Sequence, residues 1–180
     1  MRVLKEDTAG VIIDVQEKLY PHIFKNEQLI NNLIILLKGL KVLNIPILVT
    51  QQYTKGLGPT IQPIKEELQK FSFIEKTSFS CCDEPDFKMH LSKLGKKFVI
   101  VAGIEAHVCV LQTTIDLLAS GYTPVLIEDC VSSRKEKDKE IAIERMRAEG
   151  AIISTYESIL FELCRYSEAS EFRAITKLVK

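Results

Sequence analysis

Three observations predict an α/β protein with an open, mostly parallel sheet and helices on both faces, a three-layer sandwich. Short apolar runs of strand length, at residues 8–15, 45–51, 98–102, 123–127 and 151–155, alternate with segments where leucine and isoleucine recur at helical spacing. The runs are continuous rather than alternating, as expected of strands covered on both faces. Asp14, Gln51 and Glu105 fall just after or at the end of such runs, where the carboxyl ends of parallel strands place binding and catalytic groups.

In chain order, TAGVIIDV (residues 8–15) reads as a buried strand closing on Asp14. A carboxylate there is costly to bury alone, so it faces water or a cation, or else caps a turn. Residues 26–44 carry Leu29, Leu33, Leu36, Leu37, Leu40 and Leu43 on one broad face, which predicts the first long helix. The strand at 45–51 starts on Ile45 and Pro46, where a missing N–H donor is tolerated. The glycines and proline of residues 52–60 predict a loop, and 61–70 a short helix. In FSFIEKTSFSCC a single lysine, Lys76, stands among apolar and small neighbours. It is either an exposed strand-end residue or the partner of a nearby anion, and Asp14 supplies one if the two segments meet.

A helix at residues 84–94 is stopped by Gly95, and residues 98–102 form a strand that Gly103 ends. From Ala106 the spacing turns helical, with Val108, Leu111 and Ile115 on one side and Cys109 in the first turn. Gly121 caps that helix, a strand at 123–127 follows, and residues 132–150 give a charged helix with an apolar stripe at Ile141 and Met146. A short strand at 151–155 and helices at 157–164 and 170–179 complete the order.

The composition narrows the function classes. A chain of 180 residues suits one domain, residues 1–180. Net charge is +0 with 27% charged residues well mixed, so nothing predicts a nucleic-acid partner. The apolar segments are too short or interrupted to cross a bilayer, and the first residues do not read as a signal peptide, so no membrane is expected. Cys81, Cys82, Cys109, Cys130 and Cys164 are an odd set without zinc or redox spacing, which suits a reducing, cytoplasmic setting. His22, His90 and His107 share no metal-ligand spacing with a carboxylate or thiol. VAGIEA lacks the glycine spacing of a dinucleotide site, and GLGPT is not followed by Lys-Ser/Thr, so no cofactor is expected.

Cys109 is the candidate nucleophile. Unpaired N–H groups and about half a positive charge at a helix start favour thiolate over thiol. Cysteine is equally at home as a small core hydrophobe, so position alone does not decide. A thiol, an aspartate able to take its proton and a lysine holding the pair would make an activated nucleophile without histidine or metal. Lys76 would favour the thiolate and an ionised Asp14 would oppose it.

Here the sequence resembles the isochorismatase-like cysteine hydrolases, whose aspartate, lysine and cysteine match Asp14 in VIIDVQEK, Lys76 in IEKTSFS and Cys109 in GIEAHVCV. GLG in the second loop, IEAHVC, DCVSSR and ERMRAEGA look most like the branch called isochorismatase domain-containing proteins. The resemblance spans nearly the whole chain and implies an isochorismatase-like, Rossmann-like three-layer sandwich. It also implies a cis peptide between Ile104 and Glu105, with the N–H groups of Glu105 and Cys109 forming an oxyanion hole, and a substrate pocket near Gln51, Gln52 and Tyr53. The histidines and aspartate with which the family's nicotinamidases bind metal after the second strand have no counterpart in QQYTKGLG, so no metal is expected. Gln51 and Gln52 stand where the related branch carries Glu-Gln.

The reading that follows is a metal-independent hydrolase of a small amide or related acyl compound, with Cys109 attacking, Asp14 carrying the proton and Lys76 orienting the pair. Vinyl-ether hydrolysis of isochorismate, and an interaction protein with a vestigial pocket, are the alternatives. A small-molecule substrate and a homo-oligomer complete the expectations.

Overall fold

The computed structural model describes residues 1–180. Six parallel strands form one sheet: β1 (Thr8–Ile13), β2 (Ile47–Gln52), β3 (Ile74–Lys76), β4 (Phe98–Ile104), β5 (Thr123–Ser132) and β6 (Ile152–Ser154), in the order β3-β2-β1-β4-β5-β6. The chain builds outward from β1 in one direction, then crosses to β4 and builds the other way. The order therefore switches between β1 and β4, and their carboxyl ends flank the crevice where open α/β sheets place ligands.

The helices are α1 (Asn26–Val42), α2 (Thr54–Leu57), α3 (Gln62–Leu68), α4 (Pro85–Leu94), α5 (Leu111–Ala119), α6 (Glu136–Glu149), α7 (Tyr156–Cys164) and α8 (Phe172–Val179). The continuous apolar runs divide by parity between two cores. Ile12, Ile100, Ala102, Val125 and Ile127 pack under α1, α3, α7 and α8, whereas Val11, Ile13, Val99, Val101 and Leu126 pack under α4, α5 and α6. All six leucines of the predicted α1 face are buried, Leu43 just beyond the helix end. The sandwich is the predicted one.

Several local expectations are corrected. β4 does not stop at Gly103 but runs through it to Ile104. Gly103 has φ +124, and a Cβ there would sit 2.2 Å from the Ile13 carbonyl oxygen, so this glycine permits close approach of β4 to β1 rather than ending the strand. β5 extends to Ser132, past the predicted end at residue 127. Its register against β4 jumps from Val101↔Leu126 to Gly103↔Val131, so the acidic Glu128 and Asp129 lie within an irregular stretch of the strand.

The residues before α5, Ala106–Val110, form a π turn rather than a first α turn. The changed winding moves Val108 and Ile115 to half-buried positions and makes Val110, Thr113, Thr114 and Leu117 the inner face. In α6 the buried side chains are Ala142, Ile143 and Met146, and Ile141 is exposed. The loop predicted at residues 52–60 contains the single turn of α2.

Candidate active site

Asp14 is the first residue after β1 and adopts φ +52, a left-handed conformation that aspartate tolerates better than most residues. Its side chain is fully buried. Oδ2 accepts from Lys76 Nζ at 2.7 Å and Oδ1 accepts from Thr50 Oγ1 at 2.7 Å. Lys76 ends the edge strand β3, and its ammonium also donates to Gln52 Oε1 (2.6 Å) and to the carbonyls of Ser78 (3.0 Å) and Phe79 (3.1 Å). Four protein acceptors surround three N–H bonds. Burial is the largest single influence on Lys76 and lowers its pKa, but the Asp14 charge and hydrogen bond, together with the Cys81 and Cys109 sulfurs when ionised, outweigh it, so the ammonium is held above its ordinary range.

Cys109 lies in the π turn, 7% exposed, beside the same pair. Burial first, and then the charge of Asp14, push its thiol well up, against the opposing pull of Lys76. The nearness of the Asp14 carboxylate thus favours the protonated thiol. This corrects the expectation that a helix start favours thiolate: desolvation is the larger influence, and the thiol holds its proton until a base takes it.

The peptide joining Ile104 to Glu105 is cis. The Glu105 carbonyl accepts from the N–H groups of Val108 (3.1 Å) and Val110 (3.2 Å), on either side of Cys109. The Glu105 carboxylate is engaged elsewhere, accepting from Arg134 N (3.0 Å) and Arg134 Nε (3.1 Å). His107 Nδ1 lies 2.9 Å from Ser133 Oγ, which ties the ring to the end of β5.

Of the three residues expected to line a pocket, only Gln52 bonds the Lys76 ammonium through its side chain. Gln51 is on the opposite face of β2 from Thr50 and Gln52, and its amide is spent on the loop: Oε1 accepts from Thr60 N (2.8 Å) and Thr60 Oγ1 (2.9 Å), while Nε2 donates to Thr54 Oγ1 (2.9 Å). Gln52 is the glutamine that touches Lys76. Tyr53 has φ +38, donates its N–H to the Lys76 carbonyl at 2.9 Å, and lays its ring on Gly56 with half its surface exposed.

Sequence reasoning missed Thr50 and Cys81. Thr50 Oγ1 bonds Asp14, and Cys81 Sγ lies 3.8 Å from Thr50 Oγ1 while its N–H donates to Thr113 Oγ1 at 2.9 Å. For Thr50 a signal existed, since strand parity puts it on the face of Gln52. For the carbonyls of Ser78 and Phe79 none did. No group of three His, Cys, Asp or Glu side chains converges as a metal ligand set would.

Residues 8–158 match the model of the isochorismatase domain. The chain belongs to the isochorismatase family. Isochorismatase family protein 1B of Dictyostelium discoideum is 38% identical to it over 184 aligned positions, covering 99% of this chain and 89% of that protein. Among solved structures, one described as MAR1 ribonuclease from Caenorhabditis elegans superposes with a TM-score of 0.94 at 38% identity, covering 99% of this chain and 92% of that one. YcaC from Pseudomonas aeruginosa, solved with hexane-2,5-diol and covalent acrylamide, superposes with a TM-score of 0.91 at 27% identity, covering 98% and 91%. The isochorismatase fold thus accounts for the whole six-stranded sheet.

Proposed function

We propose that this isochorismatase-family hydrolase cleaves a small amide or related acyl compound through Cys109, Asp14 and Lys76, without a metal. The observation that carries the reading is a buried Lys76–Asp14 ion pair beside a thiol at the switch in strand order. The Cys109 sulfur attacks the carbonyl carbon as its proton passes to Asp14. Attack and proton transfer are coupled, because a thiol held up by burial offers little preformed thiolate. The N–H groups of Glu105 and Cys109 meet the oxyanion. Collapse breaks the C–N bond, and Asp14 returns the proton to the leaving amine. Water then attacks the thioester and gives its proton to Asp14; collapse breaks the C–S bond, Asp14 returns that proton to the sulfur, and the acid leaves with the thiol regenerated. Lys76, saturated by protein acceptors, stays a fixed charge that orients Asp14.

The test is a panel of small amides and esters offered to wild type and Cys109→Ala, with turnover expected only in wild type. The name of the nematode relative supports a second reading, RNA cleavage, which requires acid–base groups rather than a thiol. RNA hydrolysis, or turnover of isochorismate, that survives Cys109→Ala would replace the acyl-transfer reading. Inertness toward the whole panel together with a stable partner would favour an interaction protein. Self-association belongs to the same proposal, supported by the exposed Tyr53, Phe73 and Phe79, and a monomer in light scattering would count against it.

A further inference from the structure

We propose that Thr50 is a positioning residue that fixes the carboxylate of Asp14 for proton exchange with Cys109. The inference rests on the cysteine-hydrolase reading and deepens it.

Asp14 lies just outside β1 in a left-handed conformation, so the strand pleat does not dictate where its carboxylate points. Donors must do so. A single donor on one oxygen would leave the group free to turn about that contact, whereas donors on both oxygens fix its plane. Lys76 holds Oδ2 and Thr50 holds Oδ1, each at 2.7 Å. Thr50 approaches Asp14 twice, since its carbonyl also accepts the Asp14 N–H at 3.3 Å.

The directions of the bonds are forced. An ionised carboxylate only accepts, so the Thr50 hydroxyl must donate its one hydrogen to Asp14. The lone pairs of that hydroxyl then face Cys81, whose sulfur is 3.8 Å away. The Cys81 thiol is fully buried, and burial followed by the Asp14 charge pushes it up to about 11, so at neutral pH it is protonated and able to donate. Cys81 S–H, Thr50 O–H and the Asp14 carboxylate therefore form a one-way chain, and the hydroxyl has no second orientation that satisfies both neighbours. The lone pairs of Asp14 left over are those available to Cys109.

Acrylamide is a suitable probe because its addition needs the proton twice. The sulfur bonds to the β-carbon, the C=C π bond opens, and the thiol proton passes through Asp14 to the α-carbon, with no other reactant. The measurement is the rate of Cys109 adduct formation by mass spectrometry at neutral pH in wild type, Thr50→Val, Thr50→Ala, Thr50→Ser and Asp14→Asn, each checked for native circular dichroism. Thr50→Val keeps the shape and removes the donor. Thr50→Ala serves if valine does not fold, and Thr50→Ser keeps the donor. We expect valine and alanine to slow addition by about ten- to a hundredfold, the scale of a misplaced catalytic group, and serine to restore most of the rate. The deficit should narrow at alkaline pH, where the thiol ionises without help. Equal slowing in Thr50→Ser and Thr50→Val would reduce Thr50 to a packing role and overturn the inference. Wild-type rates in Thr50→Val and Thr50→Ala, with Asp14→Asn slow, would overturn it while leaving the triad reading in place. A wild-type rate in Asp14→Asn would remove both.

Discussion

Lys76 Nζ stands 2.7 Å from Asp14 Oδ2 across 62 positions of sequence, with both side chains closed to solvent. Two charges so buried are tolerable only together, and removing one leaves the other without compensation. Lys76→Met should therefore destabilise the fold by about 3–5 kcal/mol in urea denaturation, well beyond a typical surface ion pair. Pairing Lys76→Met with Asp14→Leu should cost less than the sum of the single changes.

The same pair predicts an alkaline limit. The Lys76 pKa in the folded protein is raised above the ordinary 10.5, so protonation binds more tightly in the native state than in the unfolded one. Its contribution to stability is then fully present below that ordinary value and is lost as pH rises through the raised folded value. Denaturation midpoints followed from neutral to strongly alkaline pH should fall in that upper window in wild type. In Lys76→Met the part of the fall due to this residue should be absent.

Gln51 and Gln52 are adjacent and identical in chemistry, yet opposite faces of β2 give them different tasks. Gln51→Ala should cost about 1–3 kcal/mol, because it orphans the buried Thr60 N–H, and should leave acrylamide addition at Cys109 near the wild-type rate. Gln52→Ala removes an acceptor of the Lys76 ammonium and should slow addition more than it lowers stability. The reverse pattern would place Gln51 in the pocket.

The alternation of apolar runs with helical spacing made the sheet, its parallel sense, the position of Asp14 at a strand end and that of Cys109 in the turn beyond one legible, because each depends on local hydrophobic pattern. What escaped depends on neighbours brought from elsewhere. Gly103 reads as a terminator, but the reason for a glycine is the Ile13 carbonyl of the adjoining strand, which no local pattern contains. The π turn at Ala106–Val110 rotated the expected face of α5, and the irregular register of β5 carried that strand beyond its acidic residues. The burial that holds the Cys109 proton in place is likewise a property of the packed core rather than of helix position.

Gly103→Ala follows from that contact. A Cβ 2.2 Å from the Ile13 oxygen, at a φ of +124, forces β4 away from β1 at the point where both deliver site residues. Destabilisation of about 3 kcal/mol or more is expected in denaturant, from overpacking and backbone strain together. A variant as stable as wild type would mean that β1 and β4 are farther apart here.

Cys109 should be the first of the five cysteines to react with limiting iodoacetamide at neutral pH. Exposure does not decide this, since Cys109, Cys164 and Cys82 are 7%, 6% and 5% exposed. Charge alone does not decide it either: all five thiols are pushed above their ordinary range, chiefly by burial, Cys82 to about 12. The distinction lies in a neighbouring carboxylate able to take the proton as sulfur attacks. Cys109 has Asp14 and Cys130 has Asp129 in that position, but Cys130, like Cys81, is completely buried. Only Cys109 combines such a partner with access for a small reagent. Peptide mapping after native alkylation should find the label there, and Asp14→Asn should abolish the preference. Label appearing first on Cys82 or Cys164 would show that reach alone governs reactivity, and Asp14 would lose its role as the base.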